Sequence, residues 1–378
     1  MLSMLGRAAA VAALGLAAAL TATTAASAAT DEPTGSEPTP WNVAYQTHGG
    51  PDQAFSEIAA PAKHDAWAIG DTSRGETVTG SIFAHWNGGS WSPVTIKAAA
   101  GFLAGTIYAS SGDNIWVFGQ DRQGDEETLV FNGKTWSLRK LALSLYLNDP
   151  EVAVLSASNV WAGSSQQCPA SAPQPCSELL HWNGSTWASV PVSGVTQAVT
   201  SAGGHAWFLT LTGAKHDVPA IDETQGSRVV KVKAPPAAMN SSPGFVAAPN
   251  GRLWILGQLT SRNNPQRLWH WNGKKWTESD VPQNLCVPNG TGYCPAYLPP
   301  GLVFDRGNGF WSGLIHWTGA RWVNTETLST QLMDMSIEIP AQVAVSPVTG
   351  TVWGPSLFGR NASGSSFGGL IIVYGRLP

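Results

Sequence analysis

One tryptophan-centred pattern recurs along this chain, and it leaves few folds open. Trp67 in DAWAIG, Trp116 in NIWVFG, Trp161 in NVWAG, Trp207 in HAWFL, Trp254 in RLWILG, Trp311 in GFWSG and Trp353 in TVWG lie 49, 45, 46, 47, 57 and 42 residues apart. A second pattern returns between them: HWNGGSW at 85–91, HWNGSTW at 181–187, HWNGKKW at 270–276 and HWTGARW at 316–322. Periods of roughly 20–50 residues mark repeat architectures and must be recognised before any motif is interpreted. The anchors define seven units of about 48 residues.

Each unit reads as four strands. A short strand of small residues comes first, as in EVAVLSA (151–157), TQAVTSA (196–202), GFVAAP (244–249) and QVAVSP (342–347). A turn and the anchor strand follow, then a variable stretch, a strand ending in His-Trp, and a last strand beginning with Trp. Asn87-Gly88, Asn132-Gly133, Asn183-Gly184 and Asn272-Gly273 stand between the last two strands. Asn-Gly between strand-like runs is the strongest short hairpin signal, because both residues of a two-residue turn take positive φ. Four-stranded antiparallel meanders repeated radially make a β-propeller. Small residues in strand a suit the crowded axis, and large tryptophans fill the wider wedge between blades. Trp67, Trp116, Trp161, Trp254, Trp311 and Trp353 on strand b are therefore read as structural. So are Trp86, Trp91, Trp136, Trp182, Trp187, Trp271, Trp276, Trp317 and Trp322 beside the c–d turns.

The ends of the repeat predict closure. The last unit finishes in GGLIIVYGRLP, which supplies a strand c and no strand d, while TPWNVAYQ around Trp41 has the strand d pattern. The expected fold is all-β: a seven-bladed propeller over 41–378, closed by the strand around Trp41 completing the last blade, which removes free sheet edges. Three units depart from the pattern. Val130-Phe131 stand in place of His-Trp, ETQGSRV (223–229) loses both tryptophans, and the sixth unit leaves only Ser312-Gly313 between strands b and c.

Residues 1–28 read as a secretory signal peptide, with Arg7 before an Ala/Leu/Val run and a small-x-small site at Ala26-Ser27-Ala28. Residues 29–40, rich in Pro, Thr and Glu, read as a disordered lead-in. The expected location is extracellular, with no membrane insertion. Cys168 with Cys176, and Cys286 with Cys294, share the spacing C-x7-C, and in an oxidising compartment each pair is expected to form a local disulfide. Zinc needs closer cysteines with histidine or further cysteine nearby, so no metal is expected. The net charge of −4 without a Lys/Arg cluster argues against nucleic acid as a partner.

The pattern WAxG…HWNGxxWxxV resembles the Trp-rich β-propeller repeats of exported actinobacterial proteins. It differs from WD40 repeats in lacking a Gly-His…Trp-Asp pair, and from kelch repeats in lacking a Gly-Gly closing strand b. The resemblance covers essentially the whole chain after residue 40. It implies a lectin-like propeller, or a lectin-like subunit of a larger exported antibacterial assembly, and it implies no catalytic residue.

Residues recurring at one position of every blade lie around a ring, so they are not a single site. The expected role of each repeated His is to tie neighbouring backbone groups while the adjacent Trp packs between blades. The rival is a ring of sugar sites with Trp faces stacking on the ligand. Gly364-Ser365-Ser366-Phe367-Gly368 matches G-x-S-x-G without the strand–turn–helix context that a nucleophile elbow needs. Asp222-Glu223 would face opposite ways on a strand, a poor acid–base pair. No cofactor motif is present.

Variation is more informative than repetition here. In a meander ring the a–b and c–d turns share one face, and the b–c and d–a loops share the other. The first set is short. The second is long and diverse, and it holds both cysteine pairs. Variable loops on a stable scaffold are where binding concentrates. The candidate ligand-binding residues on that face are Asp71, Arg74, Glu76, Asp121, Arg122, Asp125, Lys215, His216 and Arg262. The expected function is non-enzymatic binding of a glycan or a secreted partner protein. The alternative is a propeller glycosidase or polysaccharide lyase with carboxylates at the central channel.

Overall fold

The computed structural model describes residues 40–47, 52–74, 77–141, 151–163, 179–190, 192, 194–212, 218–225, 228–236, 239, 243–248, 250–258, 266–282, 301–305, 307, 309–325, 336–337, 342–359 and 367–375. These form seven antiparallel sheets. Strand β1 (Trp41–Gln46) precedes the first blade, which is β2 (Asp52–Ala62), β3 (Asp65–Arg74), β4 (Thr77–Trp86) and β5 (Trp91–Pro93). The second blade is β6 (Leu103–Ser111), β7 (Asn114–Gln120), β8 (Glu126–Phe131) and β9 (Trp136–Lys140). The third is β10 (Glu151–Ser156), β11 (Asn159–Gly163), β12 (Leu179–Trp182) and β13 (Trp187–Val190). The fourth is β14 (Val195–Ala202), β15 (His205–Thr212), β16 (Val218–Gln225) and β17 (Arg228–Val232). The fifth is β18 (Gly244–Ala247), β19 (Leu253–Gln258), β20 (Gln266–Trp271) and β21 (Trp276–Asp280). The sixth is β22 (Leu302–Phe304), β23 (Phe310–Ser312), β24 (Ile315–Trp317) and β25 (Trp322–Asn324). The seventh is β26 (Ser336–Ile337), β27 (Ala344–Val345), β28 (Val352–Gly359) and β29 (Phe367–Tyr374), with β1 as its outermost strand. The only helical segment described is one 3-10 turn, Lys97–Ala99.

The ring closes as the sequence predicts: β1 pairs with β29, with Trp41 opposite Tyr374 and Gln46 opposite Leu370. Each innermost strand also lies against the innermost strand of the next blade, from β2 round to β27 and back to β2. The sixth blade's b–c hairpin is as tight as expected. Ser312 pairs with Ile315 across Gly313-Leu314, and Gly313 takes φ +55°.

Every strand-b Trp is buried and occupies the same register. Trp67 pairs with His85, Trp116 with Val130, Trp161 with His181, Trp207 with Glu223, Trp254 with His270, Trp311 with His316 and Trp353 with Val373. Each reaches over to its successor blade. Trp67 meets Trp136 at 5.1 Å between centroids, Trp116 meets Trp182 at 5.9 Å, and Trp353 meets Trp86 at 5.1 Å across the ring's seam. The partners are the cross-strand pairs at the c–d turns: Trp86 with Trp91, Phe131 with Trp136, Trp182 with Trp187, Trp271 with Trp276 and Trp317 with Trp322. Trp41 and Tyr374 form the same kind of pair from the two ends of the chain, and both contact Trp311. Burying a large aromatic side chain contributes several kcal/mol, so these seams dominate the stability of the ring. The fourth blade has Gln225 opposite Arg228 at this position, and Trp161 packs on Phe208 instead.

Two expectations about turns need correction. The Asn-Gly turns are four residues long, not two: Trp86 pairs with Trp91 across 87–90. The Asn side chain shapes them. Asn87 Oδ1 accepts from the amides of Gly89 and Ser90, both at 3.0 Å, and Asn132, Asn183 and Asn272 repeat the arrangement. Gly88 then takes φ +95°, and a Cβ there would meet the His64 ring at 2.5 Å. That close approach puts the a–b and c–d turns of one blade together on one face. The second correction concerns the b–c loops of the first two blades, which are shorter than expected: 71–74 and 77–80 belong to β3 and β4, and Glu126 and Glu127 to β8.

The recurring Trp-x-x-Gly has a physical cause. Strand a carries a β-bulge opposite this glycine in the first and second blades, between Phe55 and Glu57 and between Ala104 and Thr106. The bulge pushes a carbonyl towards strand b. A Cβ on Gly70 would lie 1.8 Å from the Ala54 oxygen, and one on Gly119 2.0 Å from the Leu103 oxygen. Only glycine fits such an approach of two backbones.

Candidate functional site

The repeated histidines are placed by β4, β12, β20 and β24, and their rings lie flat on the strand-b tryptophans. Centroid separations are 4.3 Å for His85 on Trp67, 4.1 Å for His181 on Trp161, 4.8 Å for His270 on Trp254 and 4.4 Å for His316 on Trp311. Three of them hydrogen-bond a side chain rather than the backbone groups expected. His85 Nε2 lies 2.8 Å from Asp65 Oδ1, His181 Nε2 3.0 Å from Asn159 Oδ1, and His316 Nε2 2.6 Å from Asp305 Oδ2. Asp65 and Asn159 each open strand b two residues before its Trp. Asn159 and the equivalent Asn114 also accept the indole N–H of Trp161 and Trp116, each at 2.9 Å. In the fourth blade the pair is exchanged between strands. His205 stands where Asp65 does, Glu223 stands where His85 does, and His205 Nδ1 lies 3.4 Å from Glu223 Oε1 and 2.6 Å from the Thr224 carbonyl. The strand-b Trp of these four blades has no free face for a sugar ring, because His covers one side and the next blade covers the other. The repeated His and the strand-b Trp it covers are interior joinery.

The loop face behaves differently where the first two blades meet. Asp71 follows Trp67 and Ile69 at alternate positions of β3, so it points towards the second blade. Its cross-strand neighbour Ser81 confirms the direction: Ser81 Oγ donates to the Phe102 carbonyl at 3.1 Å and accepts from the Ala104 amide at 2.7 Å. Asp71 is half-buried and, among the described residues, accepts no hydrogen bond. Burial alone pushes its carboxyl up to about 6. From the second blade, Glu127 projects into the same seam, at alternate spacing from Leu129, which packs with Trp67 and Ile69. Glu127 is 5% exposed. Burial raises its carboxyl, the charges of Asp121 and Asp125 raise it further, and Lys140 opposes them.

Asp121, Arg122 and Asp125 form the turn beside it. Asp121 Oδ1 accepts from the amides of Gln123 and Asp125 at 2.8 and 2.9 Å. Lys140 Nζ lies 3.5 Å from Asp125 Oδ2 and 3.9 Å from Asp121 Oδ2. Arg122 crosses the seam and donates to the Thr79 carbonyl at 3.2 Å. The structure therefore brings Asp121, Arg122 and Asp125 together and ties Arg122 to β4, the strand paired with the one that carries Asp71. Arg74 is exposed at the far end of β3. Glu76, Lys215, His216 and Arg262 lie outside the described residues, as do all four cysteines and Gly364-Ser365-Ser366. Sequence reasoning missed Glu127 and Lys140. The signal was available in ETLVF, where Glu127 alternates with the apolar Leu129. Among the described residues no group of His, Cys, Asp and Glu has the arrangement of a metal site, and no helix is long and apolar enough to cross a membrane. The rim offers one open carboxylate, a guanidinium and a buried acid next to a lysine, which suits ligands with hydroxyl or amide donors.

No protein-family model matches the chain, and no curated protein matches it in sequence. Solved structures do. A structure of YCF48 bound to a D1 peptide is 12% identical over 90% of this chain and 98% of that one, with a TM-score of 0.47. YCF48 from Cyanidioschyzon merolae is 13% identical over 89% and 99%, with a TM-score of 0.48. A six-bladed fucose-recognising lectin of Aleuria aurantia is 14% identical over 71% and 96%, with a TM-score of 0.40. The seven-bladed assignment for this chain rests on its own strand pairings and not on these likenesses.

Proposed function

We propose that this protein is an exported, non-enzymatic binding propeller that holds a glycan or a secreted partner protein on its b–c and d–a face. Membership of a larger extracellular assembly is part of the same reading. The observation that supports it best is Asp71, a half-buried carboxyl with no described hydrogen-bond donor, raised to about 6 by burial alone. A half-buried carboxyl at the rim without donors suits a ligand that supplies them. The glycosidase alternative needs two carboxyls roughly 5–10 Å apart that sense each other. Asp71 owes its raised carboxyl to burial and not to a neighbouring carboxylate.

The test is a glycan array together with an affinity pull-down from culture supernatant, run on the wild type, Asp71→Asn and Arg122→Ala. Lys134→Ala on the opposite face is the control. Capture of a sugar or an exported protein that weakens in the first two variants and not in the control supports the reading. Capture that is insensitive to Asp71→Asn and Arg122→Ala removes this rim as the site, and capture of nothing removes the function.

A further inference from the structure

The a–b and c–d turns share one face but are not uniform in charge. Over the fourth, fifth and sixth blades they carry Arg228, Arg252, Lys274, Lys275 and Arg321. All but Arg252 are exposed, and Arg252 is half-exposed. The acids described at the same end of these blades are recessed and engaged by histidine: Glu223 with His205 and Asp305 with His316, each acid side chain 16% exposed. The third blade's c–d turn, Asn183-Gly184-Ser185-Thr186, carries no charge. A chain of net charge −4 thus presents a cationic crescent on one arc of one face.

We infer that this crescent is a second binding surface, distinct from the loop-face rim, and that its ligand is a linear polyanion bearing phosphate or carboxylate groups. Three observations carry it. The cations sit on successive blades, so a chain with repeating negative charge meets several at once, whereas a single small anion meets one or two. Their backbones are already fixed. Asn272 Oδ1 accepts from the amides of Lys274 and Lys275 at 3.0 Å each, and Thr318 Oγ1 accepts from the Arg321 amide at 3.1 Å. Only side-chain freedom remains to be lost on binding. The exposed charges of the arc are positive while Glu223 and Asp305 are recessed, which steers an oppositely charged polymer towards it. Burial and the nearby Arg252 charge both hold the His270 imidazole below its usual range, so that ring contributes no cation to the arc near neutral pH.

The experiment titrates the full chain with polyphosphate and with polygalacturonate, using inorganic phosphate and neutral dextran as controls. Binding of at least one polyanion is expected, weakening about tenfold or more between about 50 and 300 mM NaCl as screening sets in. The polymer that binds identifies the anionic group. Lys274→Glu with Lys275→Glu should weaken binding by about tenfold, and Arg228→Glu by severalfold. Lys97→Glu, exposed on the opposite face, should leave it unchanged. All these side chains are exposed, and circular dichroism checks that each variant folds. Failure of both polymers at low salt overturns the inference. So does binding that survives the double charge reversal, or binding lost equally in Lys97→Glu.

Discussion

Asp305 and Asp71 are half-buried carboxyls on opposite faces of the ring, and their environments move them in opposite directions. Burial pushes Asp305 up, but His316 at 2.6 Å and the amides of Gly307 at 2.7 Å and Gly309 at 3.0 Å outweigh it, and the carboxyl ends below its ordinary value. Asp71 has the burial without the donors and rises to about 6. At the sixth blade's a–b turn the chain itself supplies the donors to Asp305. At the seam of the first two blades it supplies Asp71 none. The same residue type at similar burial is structural in one place and available in the other, and only the count of donors separates them.

The comparison breaks most severely where the interior joinery is removed. Trp116→Ala should cost about 3–5 kcal/mol, since the side chain is fully buried between Trp182 and Trp187 and bonded to Asn114. Gly119→Ala should also destabilise, by roughly 1–3 kcal/mol, because the backbone carbonyl of Leu103 cannot yield to a Cβ. Urea unfolding measures both. Wild-type stability in either variant would show that the seams do not hold the ring.

Smaller effects sharpen the contrast through pH. Asp305 is depressed in the folded chain, so its contribution is present above the unfolded carboxyl range and lost as pH falls through the folded value. Asp305→Asn should therefore cost roughly 1–3 kcal/mol at pH 7, and the gap should close as acid protonates the wild type. Asp71 has the opposite sign. Its folded value of about 6 exceeds the unfolded one, so ionisation opposes folding and stability falls as pH rises from about 4 to 6. Asp71→Asn should stabilise by about 1 kcal/mol at pH 7, discounted for partial exposure, and by nothing near pH 3. Denaturant melts at the two pH values decide. A loss of stability in Asp71→Asn at pH 7 would mean that the carboxylate has a partner after all.

Legibility in the sequence follows the range of the interactions. The seven anchors, the small-residue strands and the closing pair of Trp41 with Tyr374 could be read because each is a local pattern repeated at a fixed period. The sorting of turns onto two faces followed from the meander alone. The partners of the repeated histidines were hidden. Asp65 and Asn159 sit two residues before their tryptophans, but Asp305 reaches His316 from a longer turn, and in the fourth blade Glu223 and His205 have changed places. At the rim, Asp71, Asp121 and Asp125 looked alike as loop-face acids. The structure separates them, because Asp121 shapes a turn, Asp125 meets Lys140, and Asp71 has neither role. That difference depends on which neighbour each strand face meets, which no single-chain pattern encodes.

The exchanged pair in the fourth blade offers the finest test, with the smallest net effect. If the turn face requires a completed acid–histidine pair rather than a particular residue on a particular strand, the pair should be reversible. His205→Asp alone sets a carboxylate against Glu223 and should cost about 1 kcal/mol. Glu223→His alone sets two imidazoles together in place of the acid–histidine contact and should cost a similar amount. Combining the two substitutions restores the order that Asp65 and His85 use in the first blade. The double variant should return to within about 0.5 kcal/mol of the wild type, a coupling as large as the sum of the single losses. Additive losses would mean that the fourth blade needs its own arrangement, with His205 held mainly by the Thr224 carbonyl at 2.6 Å, and that the completed pair is not the common rule of that face.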